Sequence, residues 1–170
     1  MEFKEISTNE INENVFEMIG KKWMLVTAAK SEREVNTMTA SWGGLGIMWG
    51  KPVAFVFIRP QRYTKEFIES SDTLSLTFFD ESYRKMLSYM GSVSGKGEDK
   101  IRKAGLNVRF DDTTPYFEEA EVVLKTKKVY AQDMGADFLI DKEINDKWYQ
   151  AGDWHTMYVC EIEKVLIRQD

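Results

Sequence analysis

One cysteine, one histidine and three prolines are all that 170 residues contain of those types. A single thiol, Cys160, cannot close an internal disulfide and fits a reducing compartment. With His155 as the only imidazole there is neither a Cys/His metal cluster nor a Ser-His-Asp triad. No catalytic residue and no metal ligand is therefore nominated. Positive charge is in deficit, with 23 Lys and Arg against 28 Asp and Glu and a net charge of −5. Contact with a nucleic acid backbone relies on a basic surface, so nucleic acid is not an expected partner. No apolar run approaches the ~20 residues that span a bilayer. The opening MEFKEISTNE is charged from its second residue and has no apolar signal core. A soluble, cytoplasmic protein without a membrane partner is expected.

Nucleotide fingerprints are missing as well. Gly91-Ser-Val-Ser-Gly95-Lys96 is one residue short of GxxxxGK, and Gly97 stands where a magnesium-binding Ser or Thr is required. Gly43-Gly44-Leu45-Gly46 is not GxGxxG, so a Rossmann dinucleotide site has no support. The loop from Gly91 to Gly97 is either an anion contact, through Ser94, Gly95, Lys96 and Lys100, or a solvated glycine turn.

What is present has the balance of an ordinary globular protein, 43% hydrophobic and 30% charged. The length suits one domain over 1–170, burying roughly 70% of its unfolded surface. Ile11, Val15, Met18 and Ile19 recur at helical spacing, with Gly20 as a stop. Trp23–Ala29 and Val35–Trp42 read as a strand hairpin, and Val53–Ile58 as a central strand apolar on both faces. A short helix follows near Thr64. Leu74, Leu76 and Phe78 alternate as a half-buried strand, and Tyr83, Met86, Leu87 and Met90 mark an amphipathic helix. A further short helix carries Glu98 and Asp99 and ends at Gly105. Ala120–Ala131 and Thr156–Ile167 are long strands, with a polar stretch, Asp141–Trp148, left unassigned between them. Strands of uneven length without regular strand–helix alternation predict a mainly β fold, a barrel with helical insertions. Cys160, between Tyr158 and Ile162, is expected to be buried, and His155 to be packed rather than catalytic. Trp23, Trp49 and Trp148 carry the same default of core or surface.

The most uneven stretch runs from Asn36 to Thr64. Small hydroxyl and amide residues lead to Trp42, and the apolar strand ends in Arg59-Pro60-Gln61-Arg62-Tyr63-Thr64. Two guanidinium groups before a helix start are suited to an anion, because a helix N-terminus offers unpaired N–H groups and Arg offers forked donors. Thr64 is the N-cap candidate. Trp42 adds a flat wall, so the stretch suits an anion and a flat ring together.

Asn36-Thr-Met-Thr-Ala-Ser-Trp42, Arg59-Pro-Gln-Arg-Tyr-Thr64 and Ser94-Gly-Lys-Gly-Glu-Asp-Lys100 resemble, in order and spacing, the flavin reductase-like, FMN-binding split-barrel family. The flavoredoxin-like group is the nearest part of it. Trp148-Tyr149, Gly152-Asp153, His155 and Tyr158–Glu161 look like the family's C-terminal strand region. The resemblance implies a six-stranded, Greek-key-type split barrel with non-covalent FMN, usually in a homodimer. It places Asn36, Met38, Thr39, Ala40, Ser41 and Trp42 along the ring and ribityl chain. Arg59, Arg62, Tyr63 and Thr64 fall near the phosphate, and Ser94, Gly95, Lys96 and Lys100 close over it. Some members of that group have a His near the flavin, where Asp133-Met-Gly-Ala-Asp-Phe138 here has none. The implied activity is hydride transfer from NAD(P)H to FMN N5 and on to a small-molecule or protein acceptor. Direct transfer needs stacking and orientation rather than an acid–base pair. The alternative is a non-catalytic FMN electron carrier charged by another reductase. A haem-binding relative is disfavoured by the single imidazole.

Overall fold

Alternating apolar side chains build ten strands in the computed structural model, which describes residues 2–169. In chain order they are β1 (Phe3–Ile6), β2 (Met24–Ser31), β3 (Glu34–Ala40), β4 (Gly43–Met48), β5 (Lys51–Ile58), β6 (Thr73–Phe78), β7 (Val108–Asp111), β8 (Thr114–Phe117), β9 (Val122–Asp133) and β10 (Thr156–Arg168). Eight form one antiparallel sheet in the order β3-β2-β6-β9-β10-β5-β4, with β1 beside β10. The resemblance implied six. Strands β7 and β8 make a separate hairpin.

The two ends of that order, β3 and β4, are consecutive in sequence and joined only by Ser41 and Trp42. Met38 and Ala40 of β3 nonetheless share one core with Ala54, Val56 and Ile58 of β5, and with Leu74, Leu76, Leu124, Tyr158 and Cys160. The sheet therefore curls around this core and stays open at one seam, a split barrel. A second core (Leu25, Phe79, Leu87, Met90, Phe117 and Val123) fills the outer side of β2, β6 and β9.

The helices are α1 (Val15–Glu17), α2 (Thr64–Ser70), α3 (Arg84–Ser92), α4 (Lys100–Lys103) and α5 (Glu143–Trp148). Asn14 caps α1 by accepting from the N–H groups of Phe16 (2.9 Å) and Glu17 (3.3 Å). Gly20 does not stop this helix, which continues as a π-turn over Met18–Lys22 until Trp23 turns the chain. The polar stretch that resisted assignment contains α5, whose Trp148 ties it to the rest of the fold through its indole against Trp42 and its carbonyl, which accepts from Arg59.

Two strand expectations change places. β6 is buried on both faces, because Ser75 donates to the Pro115 carbonyl (2.5 Å) and Thr77 to the Leu25 carbonyl (3.5 Å). β5 keeps one face partly open at Phe55 and Phe57. Strand β3 ends at Ala40, and the glycine-rich 43–46, whose composition suits a turn, is the start of β4. Gly43 has φ 153°, and a Cβ there would lie 2.8 Å from the Phe55 carbonyl oxygen. Only glycine lets β4 approach β5 this closely. Gly43→Ala is expected to destabilise the fold by about 1–3 kcal/mol in urea unfolding. Gly20→Ala, where a Cβ meets nothing within 4 Å, is expected to be neutral or stabilising.

Candidate functional site

The seam opens into a cleft of about 450 Å³, within the usual size of ligand sites. Met38, Thr39, Ala40, Ser41, Trp42, Arg59 and Arg62, all expected from the sequence, line it. Trp23, Phe57, Leu87, Ser88, Gly91, Ser92 and His155 also line it and were not anticipated. Strand β3 supplies one wall because α3 packs against it, and the Thr39 hydroxyl donates to the Leu87 carbonyl at 2.5 Å. Asn36, Tyr63, Gly95 and Lys100 instead line an adjoining hollow of similar size.

The cations divide into two kinds. Lys100 is 3% exposed, and its ammonium donates to the carbonyls of Met90 and Val93, both at 2.9 Å. One of its three N–H donors is left over. Arg62 donates to the Gly91 carbonyl at 2.9 Å, and its other donors have no partner among the described residues. No carboxylate among the described residues pairs with either. Burial, and secondarily the like charge of Arg62, lowers Lys100 to about 8. Burial lowers Arg62 too.

Arg59 and Lys96 are already engaged. Arg59 ion-pairs with Asp153, donates to the Trp148 carbonyl at 3.0 Å and lies over the Tyr149 ring. It clasps the 148–153 segment to the end of β5 instead of offering a free fork to a phosphate. Lys96 pairs with Glu66 on the outer surface at 2.8 Å and sits over the Tyr63 ring.

Thr64 is not the N-cap. Tyr63 already has helical angles, and the buried Thr64 hydroxyl accepts from the Asn36 amide at 2.9 Å. Gly95 closes over the same amide, since a Cβ on it would lie 2.3 Å from Asn36 Oδ1. The Ser94 hydroxyl accepts from the Lys96 N–H at 3.3 Å within that turn.

An aromatic cluster borders the mouth. Trp42 meets Trp148 edge-on at 5.0 Å and lies 5.1 Å from His155. His155 is packed, as expected, at 6% exposed, yet it also reaches the cleft. Its Nδ1 bonds the Tyr149 hydroxyl at 2.7 Å. Burial, helped by the Arg59 charge, drops His155 to about 4, and burial raises Tyr149 above its usual value. Both groups are neutral at pH 7. Either the hydroxyl or Nδ1 can donate in that bond, depending on the imidazole tautomer, and Nε2 has no partner among the described residues. The arrangement thus joins a ring-sized cleft, uncompensated positive charge and a neutral imidazole.

The family described as "Flavin reductase like domain" matches residues 17–170. The chain belongs to this family. The fold resembles a flavoredoxin from Methanosarcina acetivorans with TM-score 0.68 and 22% identity, over 96% of this chain and 77% of that one. It also resembles the flavoredoxin of Desulfovibrio vulgaris (Miyazaki F), with TM-score 0.67 and 19% identity over 96% and 78%. An FMN-binding protein from Thermus thermophilus gives 0.66 and 17% over 96% and 83%. No curated protein matches the sequence.

Among the residues the sequence did not place here, His155 had a signal, its position in the family-like C-terminal segment. Trp23 had none, because only the curl of the sheet brings the start of β2 to the seam. The buried neutral imidazole makes a pH prediction. Between 6.5 and about 4 the unfolded chain holds a proton that native His155 does not, so stability falls as pH falls through that window. The slope from this group reaches at most about 1.4 kcal/mol per pH unit. Urea unfolding at pH 7.5 and 5 should show a smaller loss in His155→Phe than in the wild type.

Proposed function

We propose that this protein is an FMN-dependent oxidoreductase that takes a hydride from NAD(P)H and passes electrons to a small-molecule or protein acceptor. One observation carries the reading: a buried Lys100 and a half-buried Arg62, neither paired with a carboxylate among the described residues, adjoin a ring-sized cleft bordered by Trp42. A flavin with a phosphate supplies both the flat ring and the missing negative charge. The phosphate sits with Arg62, Lys100 and the Ser94–Gly95 turn, backed by Asn36, Tyr63 and Thr64. The ring lies along Met38–Trp42. Bound FMN supplies the hydride-accepting ring chemistry; the chain binds it, orients it and limits its contact with water. A Streptomyces globisporus protein described as an NADH:FAD oxidoreductase, 13% identical with TM-score 0.64 over 86% of this chain and 75% of that one, supports a nicotinamide donor. Oxidation of NAD(P)H by the purified holoprotein tests that step. A holoprotein that only a partner or dithionite reduces is a carrier instead.

We place the protein in the cytoplasm as a homodimer. The single buried thiol suits reducing surroundings. Gly44, Phe55, Val159 and Tyr130 fall in register across β4, β5, β10 and β9, and Trp49 at 59% exposed lies 6.3 Å from Tyr130. This apolar face continues through Phe57 into the cleft, so a second copy seated on it would cover the flavin. Light scattering should give twice the chain mass, and a monomer that retains FMN on dilution would refute the dimer.

FMN should bind at least tenfold tighter than riboflavin by calorimetry. Lys100→Met should weaken FMN by about 1.5–3 kcal/mol if the ammonium makes a charged hydrogen bond to phosphate. The sign with pH follows. The protonated ammonium is the binding form, so wild-type affinity falls as pH rises through about 8, while Lys100→Met loses that slope.

A further inference from the structure

Among the described residues, three non-glycines have positive φ: Trp49, Asp112 and Trp23. Trp49 and Asp112 occupy the tight turns of the β4–β5 and β7–β8 hairpins, where such angles are ordinary. Trp23 is in no hairpin. Its φ 70° and ψ 170° fall in a region that is essentially reserved for glycine. A residue needed only to turn the chain there would be glycine, so the strain of a bulky side chain points to a use for the indole.

The indole is gripped from behind. The Arg84 guanidinium carbon lies 3.2 Å from its ring centroid. The same guanidinium donates to the carbonyls of Lys21 and Lys22, the last residues before the turn. One arginine on α3 thus holds both the strained corner and the ring it presents. Trp23 also packs partly against the outer core, and it borders the cleft together with Leu87. It shares that space with Met38–Trp42 and with Arg62, whereas Lys100 borders the adjoining hollow.

We propose that Trp23 is a ring-recognition residue of the cleft, held in place by Arg84, and that it acts on the isoalloxazine end of the ligand and not on its phosphate. This rests on the FMN reading above. A large flat side chain gives contact area to an aromatic ligand but only one hydrogen-bond donor, so it has little to offer a phosphate. Arg84 is the positioning residue. Its guanidinium is turned to the corner and the indole, and it is not among the residues bordering the cleft.

The test compares three probes, FMN, riboflavin and ribose 5-phosphate, the last by competition. In Trp23→Gly, affinity for FMN and riboflavin should fall by the same factor, about tenfold, with ribose 5-phosphate unchanged and the visible band of bound flavin shifted. Trp23→Phe should recover most of the ring affinity. Should Trp23→Gly fail to fold, Arg84→Gln replaces it, and several-fold weaker binding of both flavins with unchanged ribose 5-phosphate is expected. Equal loss for all three probes would mean a merely structural role and overturn the proposal. Unchanged flavin affinity would overturn it as well. A wild-type protein that binds neither flavin fails earlier, on the FMN reading itself, and is told apart because no variant is needed to see it.

Discussion

The site depends on the negative end of α3. The carbonyls of Met90, Gly91 and Val93 at that helix end accept hydrogen bonds from Lys100 and Arg62, two cations reached from different parts of the chain. The last carbonyls of a helix lack intrahelical donors and carry a partial negative charge, so cations stabilise them. Partial charges offset only part of two full ones. Both side chains are held below their ordinary basicity by burial, and the remaining positive charge is directed to whatever binds beside them. A structural ion pair would have quenched that charge and closed the site.

The other parts of the seam serve this arrangement. Packing of α3 on β3, fastened by the Thr39 hydroxyl on the Leu87 carbonyl, sets how far the helix end lies from the cleft wall. Gly95 lets the following turn press on Asn36, whose amide is in turn tied to Thr64 at the start of α2. On the far side Arg59 clasps the 148–153 segment, which brings Trp148 and His155 against Trp42. On the proposed reading, anion and ring fall to separate devices, α3 with α4 for the first and the aromatic border for the second. That separation is why substitutions at Lys100 and at Trp23 should be distinguishable by ligand.

Much of this was legible in the sequence where local rules decide. The hairpin of β2 and β3, the long strands β9 and β10, the inward face of the first helix and the buried Cys160 follow from periodicity and composition alone. So did the small-residue run ending in Trp42. The misses are places where tertiary contacts override local preference. Four glycine and leucine residues at 43–46 look like a turn, but β4 needs glycine because β5 lies so near. Thr64 looks like a cap, yet its hydroxyl is claimed by Asn36, 28 positions earlier. Among the four expected cations, sequence cannot say which meets a carboxylate. Lys96 finds Glu66 and Arg59 finds Asp153, while Lys100 and Arg62 find carbonyls. Only the fold makes that choice.

The central claim, that uncompensated charge at the α3 terminus receives the phosphate of FMN, is tested most directly by the ³¹P NMR spectrum of FMN as pH is varied. Free FMN should titrate near its second phosphate ionisation, about pH 6. Bound to this protein, the phosphate should remain dianionic with its resonance flat from pH 7 down to about 5, and Arg62→Ala or Lys100→Met should restore part of the titration. A bound phosphate that titrates as free FMN does, in wild type and variants alike, would place it away from these cations and contradict the account.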